Sequence, residues 1–134
     1  MIFRRRKHKL PSFPPHVAPS FERACKELSP EELEQLREHL MSYATSIREE
    51  MESNRLIQRD LVEALIDRSR FLIEHYEEFP PKHRRLAVGA VRYVCEDADS
   101  APDTAFATGL DDDAHVMNYV LESLGVDGMF IEIG

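Results

Sequence analysis

The chain predicts an all-α domain: a small helical bundle with a C-terminal helical hairpin joined by an acidic connector. Three observations predict it. Apolar residues recur at steps of three and four through several long stretches, the spacing of one face of a helix. Two Ser-Pro or Ser-Ala-Pro segments with a carboxylate three residues after the serine mark helix starts. Between Tyr93 and Val116 lie seven acidic side chains and no Lys or Arg, with a helical pattern running in and another running out. At 134 residues, 43% hydrophobic and 31% charged, the chain has the size and balance of one globular unit. Its expected extent is residues 20–134, preceded by a flexible basic arm over residues 1–19.

The arm contains Pro11, Pro14, Pro15 and Pro19 beside Arg4, Arg5, Arg6, Lys7 and Lys9. Prolines remove backbone donors and the like charges repel, so an extended segment is expected. A short helix is expected over Phe21–Leu28. Ser29-Pro30-Glu31-Glu32 then opens a long one: the Ser29 hydroxyl can accept from the Glu32 N–H, and the Glu32 carboxylate from the Ser29 N–H. Its stripe is Leu33, Leu36, Leu40, Tyr43, Ile47 and Met51, and the opposite side reads as solvent-facing. Ser53-Asn54 is the expected break; without it, residues 30–77 would form a single rod suited to a coiled-coil dimer. The next helix is expected from about Arg55 to Glu77, with Leu56, Ile57, Leu61, Val62, Leu65, Ile66, Leu72, Ile73 and Tyr76 inside. Phe79-Pro80-Pro81 stops it, because the residue before a proline avoids the α region. Pro81 opens a helix over roughly Lys82–Val94 with small residues that permit close approach. Its first turn carries Lys82, His83, Arg84 and Arg85 against the helix dipole, so these charges are expected to lean on carboxylates such as Glu77 and Glu78.

In the acidic connector, Ser100-Ala101-Pro102-Asp103 suggests a short turn through Thr104–Ala107, closed at Gly109. Asp111 or Asp112 is the expected cap of a last helix, about Asp113–Leu124, ended by Gly125. The tail Val126–Gly134 is strand-like; it is expected to pack back on the helices or, alternatively, to pair with a partner edge.

Tyr93, Asp99, Pro102, Asp103, Gly109, Asp112, Asp113 and Ala114 fall, without a gap, in a pattern that resembles the YkvA-like domain of unknown function. The resemblance covers residues 81–124. It implies a helical hairpin with an acidic connector and brings no established activity. Glu96-Asp97 stands where that family has Ser-Pro, Phe106 where it has a second proline, and the chain is less apolar than members that sit in or against a membrane.

The net charge of −8 hides an asymmetry: the first nine residues carry +5, which leaves −13 for the other 125. The acidic body repels nucleic acid and anionic lipid, and only Arg4, Arg5, Arg6, Lys7 and Lys9 offer a partner-binding patch for a phosphate backbone, a membrane surface or the protein's own acidic end. The aspartates admit three roles. They can cap helix starts and turns. Alternatively, Asp99, Asp103, Asp112 and Asp113 can converge on a hard cation such as Mg²⁺ or Ca²⁺, although the spacing is not that of an EF-hand loop. As a third role, they can form a docking surface for a basic partner. No nucleophile, phosphate-loop, dinucleotide or zinc signature is present, and His115 beside Asp112 and Asp113 has no second histidine at zinc-like spacing. Cys25 and Cys95 lack a paired spacing and read as reduced thiols of a cytoplasmic protein. No apolar run approaches the roughly 20 residues of a membrane helix; peripheral membrane contact would need the arm and an exposed apolar tail. The expected function is therefore a non-enzymatic interaction, scaffold or regulatory protein with a protein partner or a second copy. The alternative is a divalent-metal-binding protein or metal-dependent hydrolase.

Overall fold

The computed structural model describes residues 17–100 and 106–131, with side chains over 18–95 and 112–131. Five α-helices run in order: α1 (Val17–Ala24), α2 (Pro30–Ser53), α3 (Arg59–Glu74), α4 (Pro81–Ser100) and α5 (Phe106–Ser123), with a 3-10 turn, Tyr76–Glu78, before α4. No strand occurs among the described residues. The all-α expectation is met, and α4 is the centre: every other helix packs on it. The reason lies in its side chains. Ala87, Val88, Ala90, Val91, Val94 and Cys95 are all buried and mostly small, so neighbours can approach on several sides.

The first helix reaches into the span expected to be the arm. The helix begins at Val17, not Phe21, and Pro19 stands third in it, where no intrahelical N–H bond is required. It stops at Ala24 rather than Leu28. Arg4, Arg5, Arg6, Lys7 and Lys9 lie outside the described residues. The second helix follows the sequence closely. Ser29 N–H donates to Glu32 Oε1 at 3.1 Å and Glu32 N–H to Ser29 Oγ at 3.2 Å, completing the capping box. The backbone bond from Ser29, then its hydroxyl and Lys26, hold the Glu32 carboxyl below the usual carboxylate range. A depressed folded pKa contributes stability above the unfolded value, and that contribution disappears as pH falls through the folded value. The difference in melting temperature between the native chain and Glu32→Gln is therefore expected at neutral pH and should shrink steadily in acid. A difference independent of pH would mean the Glu32 charge is not what matters.

The break at Ser53-Asn54 is present, which rules out the single rod. Asn54 leaves the helix at φ −126°, ψ 100°, and its side-chain oxygen accepts from Leu56 N–H at 3.0 Å. This local bond holds the chain in a turn. The third helix consequently starts at Arg59, later than Arg55, and Leu56 is 75% exposed rather than buried. Across the turn, Arg48 grips both oxygens of Glu63 at 2.9 and 2.7 Å, which registers α2 against α3 as an antiparallel pair. Both side chains remain substantially exposed, so the pair contributes little to stability.

Tyr76 is the hinge pin of the middle. Its buried hydroxyl accepts from Leu28 N–H at 2.7 Å and donates to Leu28 C=O at 3.3 Å, closing the α1–α2 linker from 48 residues away. The Arg84 guanidinium lies 5.6 Å from the Tyr76 ring centre and donates to the carbonyls of Tyr76 and Glu77. It also reaches the carboxylates of Glu27 and, at 3.9 Å, Glu77. At Arg84 the α4 charges lean on carboxylates as expected, with main-chain oxygens also taking donors. Removing the hydroxyl in Tyr76→Phe leaves the Leu28 amide without its partner, and a loss of about 1–2 kcal/mol is expected in urea denaturation. An unchanged midpoint would mean the linker is not held there.

The helices α4 and α5 pack together as the expected hairpin. Gly109 lies inside α5 rather than closing a turn, and neither Asp111 nor Asp112 caps that helix; residues 101–105, including Thr104 of the expected turn, lie outside the described residues. The far end of α5 fits the sequence. Gly125, at φ 75°, donates to Glu122 C=O, and Val126 donates to Leu121 C=O, a Schellman ending. The tail then packs back, with Ile131 buried and Met129 and Phe130 half-buried. Residues 132–134 of the tail lie outside the described residues.

Candidate functional site

The predicted cation ligands separate into two groups. Asp112 and Asp113 sit in the second turn of α5; Asp112 is half-buried and Asp113 is 2% exposed. The helix turns Asp113 inward because its neighbours Ala114, Val116 and Met117 are all fully buried. Asp99 belongs to the last turn of α4, but its side chain is outside the described set, as is Asp103 altogether. Among the described residues, no three His, Cys, Asp or Glu side chains are grouped so as to hold a metal. His75 bonds to Glu78 at the surface, and His39 and His83 lie on other elements. Neither cysteine is in a disulfide: Cys95 is buried and Cys25 half-buried. Burial pushes the Cys25 thiol up to about 11, against the opposing pull of Arg85, so it is not an activated nucleophile.

Asn118 and Arg68 fasten the tail. Asn118, 2% exposed, holds the Ile131 peptide with both ends of its amide: Nδ2 donates to Ile131 C=O at 2.9 Å and Ile131 N–H donates to Oδ1 at 2.7 Å. Arg68 Nε donates to Met129 C=O at 2.7 Å. These bonds clamp the tail against α3 and α5. An open cleft of about 700 Å³ lies beside it, between Phe130, Ile131 and the start of α3.

The surface feature that the sequence did not indicate lies between α2 and α3. A groove of about 290 Å³ has Leu40, Ala44, Ile66 and Ile73 as its floor and Met41 on its lip. Met41 is 62% exposed, one of two large apolar side chains so exposed among the described residues. Arg37 from α2 and Arg70 from α3 stand on opposite walls, with Glu74 at one end. The signal was present: Arg37, Met41 and Ala44 are spaced four and three apart, a second stripe beside the core stripe of α2. It lay on the side assigned to solvent.

No protein-family model, no curated protein and no solved structure matches the chain. No helix of the described residues is long and apolar enough to cross a membrane.

Proposed function

We propose that this chain is a non-enzymatic interaction or regulatory protein, and that it receives a helix of a partner protein in the groove between α2 and α3. One observation carries this: Met41 stands exposed over an apolar floor that runs straight into the core. A furrow between two long helices with an exposed apolar side chain at its lip has the geometry that receives a helix of a partner. The likeness of residues 81–124 to the YkvA-like domain belongs to the same proposal and supplies the hairpin, not an activity.

The test is recovery of binding proteins from the source cells on immobilised native chain and on Met41→Glu, with identification by mass spectrometry and reconstitution from the purified partner. A surface substitution of this kind costs little stability. A partner whose affinity falls at least tenfold with Met41→Glu supports the proposal. A reconstituted partner bound equally by both proteins sinks it.

A divalent-cation protein built on Asp112 and Asp113, with Asp99 and Asp103 supplied from the other side of the hairpin, is the alternative. In its favour stands Asp113, a carboxylate residue of α5 that is 2% exposed. Thermal melts in EDTA and in millimolar Mg²⁺ or Ca²⁺ decide it. A cation at 100 times its dissociation constant adds roughly 2.7 kcal/mol; identical melts in every buffer end the cation alternative.

A further inference from the structure

We infer that the partner helix in the α2–α3 groove is acidic along its flanks. The inference rests on the interaction proposal above and specifies its partner. The antiparallel pair α2–α3 has two long faces. The fourth helix packs on both members of the pair and covers one face; the groove floored by Leu40, Ala44, Ile66 and Ile73 is the other. A furrow between two aligned helices accepts a third helix, whose residues at i, i+3, i+4 and i+7 enter as ridges.

Charge then selects which helix. The chain carries −8 overall, yet the groove presents two cations and one anion. Arg70 is exposed, and its charge acts on Glu63, a carboxylate that Arg48 already holds. Arg37 has Glu34 one helical turn away at 3.3 Å, both side chains open to solvent; such pairs exchange readily for a better partner. Carboxylates on both flanks of the incoming helix would meet Arg37 on one wall and Arg70 on the other, with bidentate geometry available to each guanidinium. The same cations disfavour two other occupants. The chain's own arm, with Arg4, Arg5, Arg6, Lys7 and Lys9, brings like charge. A second copy docked about a two-fold axis sets the same arginine-walled surface against itself.

The test uses the full chain and two synthetic helical peptides with the same leucine stripe, one with Glu and one with Lys on both flanks, read by fluorescence anisotropy at 0.15 M salt. At that ionic strength the long-range repulsion of the acidic body is screened beyond about 8 Å, so the adjacent arginines decide. The Glu peptide is expected to bind at least tenfold more tightly than the Lys peptide. Arg37→Glu with Arg70→Glu should reverse the order, and Met41→Glu should weaken both. Equal binding of the two peptides, lost with Met41→Glu, overturns the acidic partner and leaves the interaction proposal standing. Binding of neither peptide overturns the acidic helix; the wider proposal then depends on the recovered partner's response to Met41→Glu. A dimer in sedimentation that Met41→Glu dissolves identifies a second copy as the occupant and overturns the inference as well.

Discussion

Gly89→Val is expected to lower the unfolding free energy by about 3 kcal/mol or more, by forcing α1 away from α4. At Gly89 the first helix lies against the fourth with almost no space between them. A Cβ there would stand 2.4 Å from Cys25 Sγ, 2.9 Å from Phe21 Cε1 and 3.3 Å from Phe21 Cδ1. Cys25 can change rotamer and relieve the first contact. Phe21 cannot: it is 1% exposed and set edge-on to Tyr119 at a 6.1 Å ring separation. Gly89→Ala sets two effects against each other. Replacing glycine inside a helix gains about 1 kcal/mol, while overpacking costs about 1–3 kcal/mol, so a small net loss is expected. Cys25→Ala in the Gly89→Ala background should recover part of it, because the nearer of the two obstacles is gone. Urea denaturation of the four proteins, read as a double-mutant cycle, measures the coupling. A Gly89→Val protein as stable as the native chain would mean that α1 does not rest on α4 at this point.

Local chemistry in the sequence foretold the parts of the fold that are decided locally. Ser29, Pro30 and Glu32 act within one turn, and their capping box formed at the expected place. The same holds for Asn54 at the break, for the extended Phe79 before Pro80, and for Gly125 at the end of α5. The failures occurred where distant packing outweighed local preference. Glu96, Asp97 and Asp99 sit at the C-terminal end of α4, where their charge opposes the helix dipole, and Ser100-Ala101-Pro102-Asp103 looks like a fresh start. Both features are local arguments against a helix that continues past Val94. The helix instead continues to Ser100, and α5 begins at Phe106. That earlier start puts Asp111 and Asp112 in the helix body, so the capping role expected of one of them does not apply. Leu56 was placed inside because it is apolar and in register, but the turn held by Asn54 delays the helix past it. Met41 failed in the opposite sense: one methionine among polar neighbours looked incidental, and its significance depends on Ile66 and Ile73 arriving from another helix. The bonds of Tyr76 to Leu28 and of Asn118 to Ile131 join side chain to main chain over 48 and 13 residues, and no short-range pattern announces them.

The Asn118 clamp carries the other large effect. Asn118→Leu keeps much of the side-chain volume but removes both amide bonds to the Ile131 peptide. Each hydrogen bond is worth about 1 kcal/mol net, and leaving a buried N–H and C=O unpaired is worse than exposing them. The tail is therefore expected to leave the surface, and Ile131, 7% exposed when docked, gives up part of the roughly 1.5–3 kcal/mol that burial of such a side chain contributes. The combined loss should be about 3 kcal/mol. Arg68→Ala, which removes one bond to Met129 C=O, should cost about 1 kcal/mol. Asn118→Asp separates hydrogen bonding from shape. A carboxyl oxygen still accepts from Ile131 N–H, but the second oxygen faces Ile131 C=O and repels it unless it carries a proton. Burial and that repulsion both raise the pKa of the substituted carboxyl in the folded state. Its protonated form favours folding, so the destabilisation should be smallest in acid and grow as pH rises through the ordinary carboxylate range. Hydrogen exchange at the Ile131 amide reports undocking directly, separately from global stability. Protection of that amide unchanged in Asn118→Leu would show that the tail is held by its apolar side chains alone. Loss of protection, with the helical amides still slow, would establish the clamp as what turns a strand-like sequence into a strap across α3 and α5.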